Sequence, residues 1–248
     1  MRRGACFLRL NLATALGKLI FKFTRLNEAA TPKVTIVFPN YTSRERVADG
    51  CIHAVGIGAS LIALIVLLVI GVRSQMALWV VSLSIYGAAL VAMFVCSAGY
   101  NLILHPPKLK EILRRLDHAA IFLMIAGTYT PFVLIKMNDA FGLALLAVVW
   151  TIAVIGIVIK LAAPRVLEGL SVGLYLVQGW AIVAAWHPLV TAVPAWVAIL
   201  LGVGGLLYTI GVVFHLWERL PYQNAIWHGF VLSAASCHYA AVLGVVGS

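Results

Sequence analysis

The sequence predicts an all-α polytopic membrane bundle of seven transmembrane helices, and three observations carry that prediction. Of the 248 residues, 63% are hydrophobic and only 10% are charged, where a soluble domain carries about 25% charged residues. The apolar residues form seven runs, each close to or beyond the roughly 20 residues that cross a hydrocarbon core. The runs are unbroken and rich in Leu and Ala, whereas a membrane β-barrel would show alternating segments of about 10 residues. This composition excludes a soluble enzyme, a disordered chain and a disulfide-stapled secreted domain. Cys6, Cys51, Cys96 and Cys237 form no C-x-x-C pair, so no zinc ribbon or redox motif is visible and they read as small buried hydrophobes.

Residues 1–45 form a separate basic amphipathic segment ahead of the membrane domain, 46–248. Leu8, Leu12, Leu16, Leu19, Phe23 and Leu26 recur at helical spacing, Lys18, Lys22 and Arg25 make a stripe beside them, and no acid precedes Glu28. Such a helix suits the plane of an anionic membrane surface; an Arg-rich targeting segment is the other reading. The apolar runs follow at about 52–72, 77–103, 118–135, 141–163, 169–187, 192–215 and 224–246. Between the fifth and sixth, only His187-Pro188 and Pro194 mark the break. Gly169-x3-Gly173 and Gly202-Val203-Gly204-Gly205 are suited to close helix packing.

Basic residues set the orientation, because Lys and Arg favour cytoplasmic loops. Nine precede the first run, and Lys108, Lys110, Arg114, Arg115, Lys160, Arg165 and Arg219 share that side. Only Arg73 and Lys136 lie opposite. The N-terminus is therefore expected in the cytoplasm and the C-terminus outside. The net charge of +10 points to anionic lipid headgroups and not to nucleic acid. Trp79, Trp186 and Trp217 fall near run ends and read as an interfacial belt.

Polar residues inside membrane spans are expensive and mark functional sites. With this topology Ser97, Asn101, Asp117, Asn224 and His228 lie at one depth on the second, third and seventh spans. Ser97 and Asn101 are four residues apart and share a helix face; Asn224 and His228 do the same. Together they predict one polar pocket in the cytoplasmic leaflet, although Asp117 could equally cap the third helix. His53 and His238 read equally as packing histidines or as ligands.

Three segments carry a family resemblance: ERVADGCIHAVG at 45–56, SAGYNLILHPPKLKEILRRLDHAAIFLMIAGTYTPF at 97–132, and PYQNAIWHGFVLSAASCHY at 221–239. They resemble the motif blocks of the hemolysin III family, bacterial relatives of the progestin and adipoQ receptors. The resemblance implies a seven-helix bundle with an inside N-terminus. It also implies a zinc ion held by three histidines, one from S-x3-H on the second span and two from H-x3-H on the seventh. The resemblance further implies that an Asp in the D-H pair of the third span touches metal-bound water. Alkaline ceramidases belong to the wider superfamily, which suggests lipid amide hydrolysis.

Here the motifs read Ser97-x3-Asn101 and Asn224-x3-His228, so two of three expected ligands are Asn. Ser97, Asp117 and His228 carry over. An amide oxygen is a neutral, weak zinc donor, so zinc is a cofactor that the resemblance implies and the two amides weaken. The expectation is a bacterial inner-membrane protein contacting lipids, with a non-catalytic lipid-sensing or membrane-homeostasis role. The first alternative is a metal-dependent lipid hydrolase in which Asp117 is general base and Ser97 positions the water or the oxyanion. A cytolysin or pore is the second.

Overall fold

Thr42 starts the first helix well before the apolar run begins at Ile52. Its hydroxyl accepts from the Glu45 N–H, and the Glu45 carboxylate accepts from the Thr42 N–H at 2.8 Å. This reciprocal capping box satisfies backbone donors that a helix start otherwise leaves open. Helix α1 consequently spans Ser43–Ser74, and Glu45 and Asp49 lie on the helix itself. The computed structural model describes residues 41–104, 106–162 and 168–247. The amphipathic pattern over Leu8 to Leu26 lies outside the described residues.

Seven described helical segments are long and apolar enough to cross a membrane, and among the described residues all regular structure is helical. Helix α2 spans Ala77–Leu102. Helix α3 spans Pro107–Pro131, opening on a proline whose missing N–H is harmless there. It begins earlier than the expected 118, so the basic run 108–115 is helical and not a solvated loop. Glu111 organises that first part, accepting from Arg114 Nε at 3.1 Å and Nη2 at 3.0 Å. Arg115 donates to the Leu161 carbonyl at 3.1 Å, a cation at the end of α4 (Ala140–Ala162) where carbonyls lack helical partners. Past Pro131, α3 widens into a π-turn over Phe132–Lys136.

The fifth span is broken. It comprises α5 (Glu168–Trp180), a 3-10 turn (Ala181–Ala185) and α6 (Trp186–Ala192). His187-Pro188 lies inside α6, and the chain breaks at Val193-Pro194 before α7 (Ala195–Leu216). The Tyr129 hydroxyl from α3 holds the break together. It accepts from Ile182 N–H at 2.8 Å and lies 3.0 and 2.7 Å from the Gln178 and Gly179 carbonyls. Helix α8 spans Gln223–Gly247.

Successive helices pack as antiparallel neighbours: α1 on α2, α2 on α3, α3 on α4, and α7 on α8. The last helix returns to the first, since α8 also packs on α1. On α1 the buried stripe is Asp49, His53, Gly56, Ser60, Ala63, Leu67 and Gly71, in steps of three or four residues. Gly56 is required, because a Cβ there would fall on the Phe94 ring of α2. The opposite face exposes Val55, Ile62, Ile65, Val69 and Val72, an apolar surface for lipid to cover. The packing of α1 between α2 and α8 brings three polar helix ends together.

Candidate functional site

The α1 stripe begins with two polar residues, and both are buried: Asp49 is 4% exposed and His53 1%. One helical turn separates them, so they share a face. They meet Ser97 and Asn101 at the end of α2, and Asn224 and His228 at the start of α8. All these helix ends lie on the side of the bundle from which α1 starts.

The centre is a directional hydrogen-bond network. Asp49 Oδ1 lies 2.6 Å from His228 Nδ1, and Oδ2 accepts from Asn224 Nδ2 at 3.1 Å. Asn224 Nδ2 also donates to Asn101 Oδ1 at 3.0 Å. Asn101 Nδ2 donates in turn to the Ser97 carbonyl at 2.9 Å and to Ser97 Oγ at 3.3 Å. The Ser97 hydroxyl lies 3.2 Å from His53 Nε2 and 3.2 Å from His228 Nε2. His53 Nδ1 lies 2.9 Å from the Asp49 carbonyl, and the two imidazoles meet edge-on with centroids 4.4 Å apart. Buried polar groups must be paired, and no side-chain atom of these residues is buried without a partner.

Outside the centre, the first helix is tied to the last at its rim. Glu45 Oε1 accepts from the Tyr222 N–H at 2.9 Å, and Tyr41 donates to Gln223 Oε1 at 3.3 Å. Burial, together with the nearby carboxylates of Asp49, Glu218 and Glu45, pushes the Tyr41 phenol above its ordinary range, so it stays a donor.

Of the residues expected from sequence, Ser97, Asn101, Asn224 and His228 come together in this network. Asp117 lies beside Ser97, within electrostatic reach of His228 and Asp49. His238 lies elsewhere, near the Leu201 carbonyl at 3.3 Å and the Tyr208 ring. Asp49 is the residue that sequence reasoning missed, and His53, left open there, belongs to the centre. The available signal was Asp49-x3-His53, a second pair four residues apart, with Thr42-x2-Glu45 to start the helix early enough to include it.

Asp49, His53 and His228 each offer one donor atom, all within 4.8 Å of one another, the composition of a possible metal site. The three-histidine zinc site implied by the family motifs does not fit these residues. Asn101 and Asn224 stand at two of its ligand positions, and each is engaged as a hydrogen-bond donor to its neighbours.

Fold and centre define a class: a seven-span helical membrane protein with a buried Asp/His/Ser/Asn centre where its first, second and last spans meet. Residues 41–239 match the family model described as "Haemolysin-III related", and the chain belongs to that family. It is 38% identical to "Hemolysin-3" of Bacillus cereus over 200 residues, which is 81% of this chain and 91% of that protein. It is 36% identical over 203 residues to a "Hemolysin-3 homolog" of Bacillus subtilis (82% and 95%). A more distant relative is the human "Monocyte to macrophage differentiation factor", 26% identical over 165 residues (64% and 67%).

Proposed function

We propose that this protein is a non-catalytic, lipid-responsive component of a bacterial inner membrane, with its N-terminus and its polar centre on the cytoplasmic side. The observation that carries the non-catalytic reading is the pairing of the two amides. Asn224 bridges Asp49 and Asn101, so groups that a hydrolase of this family would devote to a metal instead clasp three helices. Polar contacts of this kind couple helix ends near headgroup depth, where a change in lipid packing would act on them. The excess of basic residues on the N-terminal side supports the orientation.

A hydrolase reading has one observation in its favour: Ser97 and Asp117 still stand beside two imidazoles. One assay separates the two. The full chain in lipid nanodiscs is incubated with a short-chain N-acyl sphingoid lipid in the presence of zinc. No fatty acid release above protein-free discs is expected; release that disappears in Asp117→Asn would overturn the non-catalytic reading. For orientation, a C-terminal alkaline-phosphatase fusion should be active, and an inactive fusion with an active cytoplasmic reporter would reverse the topology.

A further inference from the structure

Among the described residues, the buried side-chain atoms that meet no protein partner include two tyrosine hydroxyls, those of Tyr86 on α2 and Tyr208 on α7. Tyr86 is fully enclosed, at 0% exposure. The two phenols are near enough to feel each other's charge, yet too far apart to share a hydrogen bond. Tyr239 lies within the same reach of Tyr86, and Cys237 within reach of Tyr208. The His238 ring stands 5.6 Å from the Tyr208 ring. Its Nε2 meets the Leu201 carbonyl, which only accepts, so Nε2 carries the hydrogen and Nδ1 is an acceptor. Spans two, six and seven thus bring a second set of polar groups together. Eleven residues of α2 separate Tyr86 from Ser97, about 16 Å of helix, so this set is distinct from the polar centre.

A buried tyrosine hydroxyl ordinarily finds a partner. Inside a bilayer the cost of lacking one rises, because no bulk solvent is at hand. The core that holds Tyr86, with Leu83, Leu90, Val231, Ala235 and Val242, supplies no side-chain donor or acceptor. What suits two hydroxyls within reach of each other but unbonded is a molecule that both donates and accepts and is small enough for a packed interior. Water meets all three conditions, and it needs two to four polar partners to stay. We propose that the bundle binds internal water between the Tyr86 and Tyr208 hydroxyls, near the middle of both helices, as a hydrogen-bonded bridge from span two to span six. Helix α2 packs mainly on α1 and α3, and α7 on α8, so the bridge joins two helices whose main neighbours are others. The proposal goes beyond the role of the polar centre and holds whatever that centre does.

The test is water-edited solid-state NMR of the full chain in lipid bilayers with 13C-labelled tyrosine, where polarisation starts on water and spreads first to carbons beside it. The Tyr86 and Tyr208 signals are assigned by their loss in Tyr86→Phe and Tyr208→Phe. Tyr129 is the internal reference, a buried phenol whose hydroxyl is taken up by backbone groups. Tyr86 and Tyr208 should gain polarisation at least about twice as fast as Tyr129. Tyr86→Phe should slow Tyr208 to the Tyr129 rate, because one phenol alone leaves the water short of partners. Unfolding in mixed micelles gives the sign of the effect. If water serves the hydroxyls, either phenylalanine removes a satisfied group and raises the unfolding constant about fivefold. If nothing serves them, it removes an unpaired hydroxyl and lowers that constant. The double variant should fall well short of the product of the two single effects, since both lose the same water. Polarisation at Tyr86 and Tyr208 no faster than at Tyr129, or a phenylalanine variant as stable as the native chain or more so, would overturn the proposal. A double effect equal to the full product would mean two separate sites and would overturn the bridge.

Discussion

Asp49→Asn changes one oxygen to an NH2 and tests the direction of the network. As Asp49, both oxygens accept, one from His228 Nδ1 and one from Asn224 Nδ2. An asparagine has one acceptor. If its oxygen serves His228, its NH2 faces the Asn224 NH2, donor against donor. Flipping Asn224 cures that contact but turns its oxygen toward Asn101 Oδ1. Flipping Asn101 as well turns its oxygen onto the Ser97 carbonyl, which can only accept. No set of amide flips satisfies the chain, because it ends on a backbone carbonyl that cannot be reversed. The arrangement left turns the new NH2 toward His228 Nδ1 and moves that ring's hydrogen to Nε2, where Ser97 Oγ accepts it, so a charge-assisted carboxylate–imidazole bond becomes a neutral one at a cost of about 1 kcal/mol. Asp49→Leu leaves two donors without acceptors and should cost about twice that, moderated because polar groups in membranes often find substitute partners. The assay is reversible unfolding in mixed micelles, with chelator present so that no cation contributes. Equal stability of Asp49→Asn and the native chain, within about 0.3 kcal/mol, would refute the directional network. So would an equal loss in Asp49→Asn and Asp49→Leu.

Two more outcomes are expected. Tyr129→Phe removes the hydroxyl that accepts from Ile182 and donates to the carbonyls at the fifth-span break; it should cost about 1–3 kcal/mol and speed amide exchange at Ile182, and unchanged exchange there would count against its bracing role. Gly56→Leu drives a side chain into Phe94 and should destabilise by about 1–3 kcal/mol, with Gly56→Leu/Phe94→Ala recovering part of the loss. If the double variant unfolds as easily as Gly56→Leu alone, the contact between α1 and α2 is not the cause.

Most of the fold was legible because lipid sets helix length and tolerates few polar residues, so runs of apolar sequence mark the spans directly. Most of the centre was legible for the same reason: Ser97, Asn101, Asn224 and His228 stand out against apolar neighbours and pair at helical spacing. Asp49 did not, because it sits in Glu45-Arg46-Val47-Ala48-Asp49, a stretch whose hydropathy reads as a linker. Only the capping box at Thr42 and Glu45 extends the helix across it, and hydropathy does not register a cap. The break in the fifth span was equally hidden. It depends on Tyr129 of a different helix, and no pattern within 168–192 reports it.

The two asparagines and the first-span carboxylate are best understood as one unit. Asn101 and Asn224 do more than remove imidazoles, because each commits its NH2 in a fixed direction and the last donor in the series needs an acceptor outside it. Asp49 is that acceptor, and its other oxygen fixes the ring of His228. The same residue offers its carbonyl to His53. The amide series and the orientation of both imidazoles thus depend on one side chain and its own backbone. Restoring histidine at 101 and 224 would not simply rebuild the family's site. A single imidazole at 224 has two ring nitrogens and cannot replace an NH2 that serves Asp49 and Asn101 together. The double restoration should bind zinc through the rings of the second and seventh spans while releasing Asp49 and His53, so His53→Ala should then leave zinc content unchanged. Zinc that falls in His53→Ala on that background would put the first-span ring among the ligands and refute this account.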